Sequence, residues 1–350
     1  MKKLAILLFI LVVCVGVVSA DRQILIDFST LEADEEFDER QMHSSSMIDF
    51  SAQAGASYTI EEKKRMLISL ALDEWDVELA SSSQTVENMR YSKCKESVSR
   101  KFGKVLGARI HFPTGHYNSF ALVKPPFEIP AFQHPTVFEN GEIRDMTDEE
   151  MNQINEQRGV KTGEPGFVDK NSKYDGMGVI KNVGNIKSIK VQVYGSNYPH
   201  GLSMRYKDQT GATHDIFMDH LNFDGWKEIV WKNPNYIKEV RDRELGTMPL
   251  YPQAYPFMKF IGFIVHRDGA NIGSDFVIYF KDIEVIYDKA VITVDRDIDD
   301  EGEWGILSER ETARRAAEIR RVGNVQVLRW LEKKKQSPET EVFEETEGQE

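Results

Sequence analysis

Between residues 100 and 290 the hydrophobic positions recur mostly with a period of two, the mark of strands with one dry and one wet face. Ile189, Val191 and Val193 alternate with Lys190, Gln192 and Tyr194, and Tyr194-Gly195-Ser196-Asn197 turns the chain. Leu202, Met204 and Tyr206 form the next strand, closed into a hairpin by Asp208-Gln209-Thr210-Gly211. Further strands are predicted at 215–218, 226–231, 258–266 and 276–287. The 258–266 run is apolar on both faces through Phe260, Ile261, Phe263, Ile264 and Val265, as suits a central strand between two packed layers. In 276–287 the apolar side runs Phe276, Ile278, Phe280, then passes to Ile283, Val285 and Tyr287 beyond Asp282. A β-bulge produces such a parity switch.

Upstream, strands are predicted at 24–28, 75–79, 105–112 and 120–123. The segment Lys124-Pro125-Pro126-Phe127-Glu128-Ile129-Pro130 excludes a helix and suits an edge or an extended connection. Residues 141–176 form a polar excursion, in which Thr147 and Glu150 have capping-box spacing for a short helix over 147–157. Ser308 to Glu311 opens a second helix that runs to about Arg321. Gly323-Asn324 breaks it, and Val325, Leu328 and Leu331 line one side of a further helical piece.

The predicted fold is therefore dominated by β structure: a two-sheet antiparallel sandwich of jelly-roll type with a C-terminal helical extension. The sandwich spans 21–294, an acidic linker 295–307, the helical extension 308–335, and an acidic tail 336–350. The extension carries nine basic and four acidic side chains, and the tail six acidic and no basic ones. That contrast fits docking on another subunit, or a helix folded back on its own sandwich.

The first twenty residues differ from everything that follows. Lys2 and Lys3 precede an apolar run from Leu4 to Val18, and Val18-Ser19-Ala20 places small residues at −3 and −1. This is a secretory signal peptide, cut between Ala20 and Asp21. Its apolar core of ~15 residues is shorter than the ~20 a spanning helix needs. Cys14 lacks the small preceding residue of a lipid-attachment box. No later run is long and apolar enough to span a bilayer, so the mature chain is expected beyond the inner membrane and not embedded in it.

Composition narrows the chemistry. Without Lys2 and Lys3 the formal charge moves from −13 to −15, which argues against a nucleic-acid partner. Cys94 is the only thiol of the mature chain, so stability must rest on core packing; flanked by charges, it is expected to be an ordinary surface or half-buried thiol. Asp295-x-Asp297-x-Asp299 opens like a calcium loop, but Asp300 stands where glycine is needed and Ile306 where a bidentate glutamate is needed. His111 and His116, and His214 and His220, bring no third ligand beside them. Asp27 and Asp282 could contribute to a structural calcium, although no spacing demands it. No nucleophile elbow, phosphate loop or dinucleotide fingerprint occurs. No cofactor is expected and no catalytic residue is nominated. Aromatic residues Trp226, Trp231 and Tyr236 are candidates for an interaction surface, with Arg314, Arg315 and Trp330 of the extension. Because Trp226 and Trp231 are five apart, a regular strand sends them to opposite faces, and at least one belongs in the core.

Several segments carry a family resemblance: Glu74-Trp75-Asp76-Val77-Glu78-Leu79-Ala80-Ser81-Ser82-Ser83, then Val105 to Pro113, Asn118 to Phe132, Gly178 to Leu202 and Trp231 to Ile237. They resemble the FlaA family, the outer-layer or sheath proteins of spirochaete periplasmic flagella, over roughly residues 20–330. The resemblance implies a non-enzymatic structural protein of the periplasm. It also implies two partners, the core flagellin subunits and other copies of itself, and gives the signal peptide a meaning. An exported subunit meets the filament from outside. A rival reading is a periplasmic carbohydrate-binding or carbohydrate-cleaving sandwich. The two merge if the sheath recognises a sugar on the core flagellin.

Overall fold

A computed structural model describes residues 20–115, 118–131, 136–139, 142–159, 174–245, 256–270, 273–290 and 303–336. The signal segment 1–19, His116, linker residues 295–302 and the tail beyond Gln336 lie outside the described residues, as do Asp295, Asp297 and Asp299.

Twelve strands build two six-stranded sheets. In chain order they are β1 (Asp21–Asp27), β2 (Asp76–Leu79), β3 (Lys93–Ser99), β4 (Gly103–Phe112), β5 (Phe120–Lys124), β6 (Val179–Lys181), β7 (Val183–Ser196), β8 (Gly201–Asp208), β9 (Thr213–His220), β10 (Asp224–Lys232), β11 (Phe257–His266) and β12 (Ser274–Lys289). The first sheet runs β10-β7-β12-β4-β3, with β1 beside the second half of β12. The second runs β9-β8-β11-β5-β2, with β6 beside the start of β11. All of these pairings are antiparallel. The sandwich read from the period of two is the observed fold.

The parity switch in the last strand is a bulge. Gln192 faces Asp282 while Val193 faces Phe280, which leaves Lys281 as the extra residue. At the same point the neighbour of β12 changes from β4, ending at Phe280, to β1, starting at Asp282. Lys281 Nζ reaches Asp27 Oδ1 at 2.5 Å and anchors the end of β1 to the bulge. Asp27 also accepts from the Ser29 amide and hydroxyl, so it caps the short 3-10 turn Phe28–Leu31. Asp27 and Asp282 are thus ends of a lysine clamp.

Both sheets turn aromatic side chains inward. Phe263 of β11 stacks on Phe280 of β12 at 4.0 Å and 5° between planes, joining one sheet to the other. Phe28 lies against both rings and meets Trp75 edge-on at 5.2 Å. Strand β11 is buried on both faces, as its sequence predicted, with Phe260 and Phe263 inward and Lys259 outward at only 2% exposure.

The five described helices are α1 (Ile60–Lys64), α2 (Val86–Tyr91), α3 (Asp148–Arg158), α4 (Tyr236–Leu245) and α5 (Ile306–Gln336). Thr147 and Glu150 form both bonds of the capping box that opens α3, and Gly159 closes it at φ 64°. Helices α1, α2 and α4 are too short or too polar for a clear 3.6-residue pattern and were not expected. Strand β3 was also unforeseen. It buries Cys94 at 6% exposure, which corrects the surface or half-buried reading; burial pushes that thiol far above its ordinary pKa.

The extension needs a larger correction. Helix α5 is continuous through Gly323-Asn324. Gly323 sits against Gln53, where any Cβ would collide with the glutamine side chain, so it serves close approach and not a stop. The expected stripe also faces the wrong way: Val325 and Leu328 are exposed at 51% and 60%, while Val322 is buried.

Two measurements test this core. Phe263→Ala removes the inter-sheet stack and is expected to cost about 3–5 kcal/mol in denaturant unfolding with little change in slope. His200 is buried between Tyr198, Phe276 and Phe112, and its Nδ1 accepts the Asp268 amide at 3.0 Å. Burial lowers its pKa from 6.5 to about 4, with Arg267 assisting and Asp268 opposing. Below pH 6.5 the unfolded chain takes a proton that the folded chain refuses. Stability is therefore expected to fall by about 3 kcal/mol as pH drops from about 6.5 to 4, and His200→Asn to flatten that limb of the pH profile.

Candidate functional site

The sandwich offers two outward faces, and they are treated differently. On the second sheet, the Pro-rich connection after β5 alternates its side chains. Phe127 and Ile129 are buried inward, Ile129 filling the space above Gly178, and Glu128 points the other way. There Glu128 meets Lys207 of β8 at 2.7 Å and Lys259 of β11 at 2.9 Å. Helix α5 completes the cluster: Arg321 donates twice to Glu128, at 2.7 and 2.8 Å, and Glu318 takes Lys259 Nζ at 2.5 Å. Burial disfavours the Glu128 carboxylate, but Arg321, Lys259 and Lys207 outweigh it and hold its pKa far below the usual range. One turn earlier, the Arg314 guanidinium lies 4.8 Å over the Phe257 ring.

The C-terminal half of α5 crosses to the N-terminal segment. Trp330 meets Tyr58 edge-on at 5.7 Å, Gln326 donates to the Pro126 carbonyl at 3.0 Å, and Arg329 pairs with Asp76 of β2 and the same carbonyl. Lys334 pairs with Glu62 of α1. In this structure the helix folds back on its own sandwich.

No comparable long helix crosses the outward face of the first sheet among the described residues, although Tyr91 of α2 meets His111 at 5.4 Å and lies beneath the Arg109 guanidinium at its margin. A row of half-buried rings crosses this face: Phe102 to Trp226 at 4.9 Å, Trp226 to Tyr194 at 5.5 Å, and Tyr194 to Tyr279 at 5.7 Å. Gly107 lets the row lie down, since a Cβ there would stand 3.1 Å from the Tyr279 ring. Successive planes differ by 76–82°, so the rings brace one another edge-to-face and do not form one flat stacking platform. Beside the row, Asp275 receives two bonds from Arg109, at 2.7 and 3.0 Å, and pairs with His111 Nδ1 at 2.9 Å. Arg109 and His111 hold the Asp275 carboxyl down at about 2.

The six nominated surface residues do not form one patch. Trp226 stands in the open row, while Trp231 packs against the core, as their spacing required of at least one. The Tyr236 hydroxyl donates to Asp288 at 2.8 Å. Arg314 and Trp330 serve α5 docking, and Arg315 is half-buried on the same helix. Sequence reasoning missed Tyr194, Tyr279 and Phe102, which the sheet register alone brings beside Trp226. It also missed Glu128 and Lys259, whose alternation with apolar neighbours is visible but whose partners are remote.

His214 pairs with Asp208 at 2.9 Å, and His220 lies against the Phe217 ring at 5.2 Å. Among the described residues no three His, Cys, Asp or Glu side chains are grouped to hold a metal ion. No described helix is long and apolar enough to cross a membrane.

Replacing Glu128 by Gln leaves Lys259 buried with a single counter-charge. The expected outcome is a loss of about 3–5 kcal/mol and faster proteolysis around α5, partly recovered by adding Lys259→Met. Because the Glu128 pKa is depressed, its contribution is full above the unfolded value near 4.5 and is lost as pH falls below it.

The family model described as "Flagellar filament outer layer protein Flaa" matches residues 39–296. A flagellar filament outer layer protein of Spirochaeta aurantia is 45% identical over 328 residues, covering 92% of this chain and 89% of the relative. The protein of that name from Treponema pallidum is 42% identical, covering 91% and 90%. That of Borreliella burgdorferi is 28% identical, covering 80% and 72%. Among solved structures, a β-sandwich carbohydrate-binding module aligns over 62% of this chain and 58% of its own, at a TM-score of 0.28 and 8% identity. The chain belongs to the FlaA family of flagellar filament outer layer proteins, structural and not enzymatic, located in the outer layer of the spirochaete periplasmic flagellar filament.

Proposed function

We propose that this subunit coats a core of flagellin subunits, contacts neighbouring copies of itself, and stiffens and shapes the filament. The observation that carries the reading is the inequality of the two outward faces. The second sheet is closed over β11 by the chain's own helix, whereas the first presents the Phe102–Trp226–Tyr194–Tyr279 row with the Arg109–Asp275–His111 group beside it. An aromatic centre with ion pairs at its margin is the composition of a protein interface. We assign the flagellin contact to that face.

The export reading fits the fold. Strand β1 begins at Asp21, the first residue after the proposed cut, so cleavage leaves the strand whole and free to close on β12. A subunit released outside the inner membrane reaches the filament from its outer side. A carbohydrate reading has weaker support, because the perpendicular rings offer a sugar no flat surface; a glycan on the core would meet Trp226 at best.

Deleting the gene and imaging purified filaments tests the proposal. Thinner filaments with altered curvature and reduced motility are expected, and unchanged diameter, curvature and swimming would sink it. Restoring the gene as Trp226→Ala/Tyr194→Ala is expected to leave the subunit folded but lost from purified filaments.

A further inference from the structure

Where α5 crosses the N-terminal segment, helix and sandwich do not close completely. A cavity of about 120 Å³ remains, with Phe50 and Trp330 on its apolar side and Arg40, Arg65, Arg329 and Lys333 around it. The acids facing these cations are Glu74, which lines the cavity, and Asp76, which pairs with Arg329 and lies 3.6 Å from Lys333. Four positive charges thus meet two negative ones. Arg65 is exposed, and no described carboxylate pairs with it. An apolar wall with a basic rim suits an acidic peptide carrying a hydrophobic residue.

We propose that this cavity receives the chain's own C-terminal segment, residues 337–350. The segment starts one residue beyond α5, whose last turn holds Lys333, Lys334 and Lys335. It contains six glutamates, no basic residue, and a single hydrophobic pair, Val342-Phe343, inside Glu339-Thr340-Glu341-Val342-Phe343-Glu344-Glu345. The charges are complementary. The reach is ample: Arg329 lies ~10 Å back along the helix axis from Gln336, and fourteen extended residues span ~45 Å. Proline at position 338, two residues past the end of α5, is incompatible with a continued helix. Covalent linkage supplies a high effective concentration, so a segment on the same chain outcompetes that of a neighbour in dilute solution. Docking would bring the hydrophobic pair Val342-Phe343 to the apolar wall and the glutamates flanking it to the basic rim.

The test uses the full mature chain. A bimane fluorophore is placed at Thr340→Cys, Cys94 being buried and unreactive, and its quenching by Trp330 is read as contact. At low salt the fluorophore is expected to be quenched. The quenching is expected to disappear with Trp330→Phe, with the charge reversal Arg65→Glu/Lys333→Glu, and in about 0.5 M salt, where exposed charges are screened. Equal brightness in the parent, the Trp330→Phe protein and the charge-reversed protein overturns the docking. Circular dichroism melts show that the variants are folded, and Arg65, being exposed, provides a single-site version that leaves packing alone. Quenching that rises with protein concentration overturns the assignment to the same chain and gives the cavity to the tail of a second copy.

Discussion

One buried ammonium group sets where the long C-terminal helix must lie. Lys259 lies in the middle of the second sheet, on its outward face, at 2% exposure. A lone charge so placed would cost several kcal/mol, so the strand can exist only if carboxylates are brought to it. One arrives on the connection after β5, where prolines hold the backbone extended and the alternation of Phe127, Glu128 and Ile129 aims a carboxylate away from the core. The other, Glu318, arrives on α5. The lysine thereby obliges a distant helix to lie across the sheet, and Arg321 and Lys207 neutralise what remains of Glu128.

Those partners explain why α5 is long, polar and undivided. Few of its apolar residues are buried; Val322 is, Trp330 leans on Tyr58, and Val325 and Leu328 face outward. Periodicity alone therefore misassigned the docked face, because the contacts that decide it are ionic and the apolar signal is weak. Gly323-Asn324 misled for a related reason. A glycine that ends a helix and a glycine that admits a neighbouring side chain look alike in one sequence, and only Gln53, some 270 positions away, tells them apart.

What could be seen in advance was local and repetitive. Strands show themselves through alternation, and the bulge at Lys281 through a broken alternation, because the pleat forces side chains to opposite faces whatever the rest of the chain does. The short helices and 3-10 turns near residues 28–91 follow no such rule, since their hydrogen bonds are closed by Asp27, Thr59 and Thr85 side chains one at a time. The open face was half visible. Trp226 is conspicuous in the sequence, but Phe102, Tyr194 and Tyr279 become its neighbours only when β10, β7, β12 and the turn before β4 are set in register. Residues nominated singly, such as Tyr236 and Trp231, proved to be tied into the subunit itself.

The same economy bears on how a coat could be built from this subunit. A sandwich has two faces, and one here is spent on holding the chain's own helix through charge. Ionic docking of that kind tightens at low ionic strength and when carboxylates are ionised, whereas the aromatic row on the other face depends on neither. A subunit that docks its own helix through charge and centres its outward face on hydrophobic rings can fold and assemble largely by separate forces. Its grip on a filament would then be less sensitive to salt than the docking of α5, and disturbance of α5 would change the other face of the subunit before it changed its hold on the core.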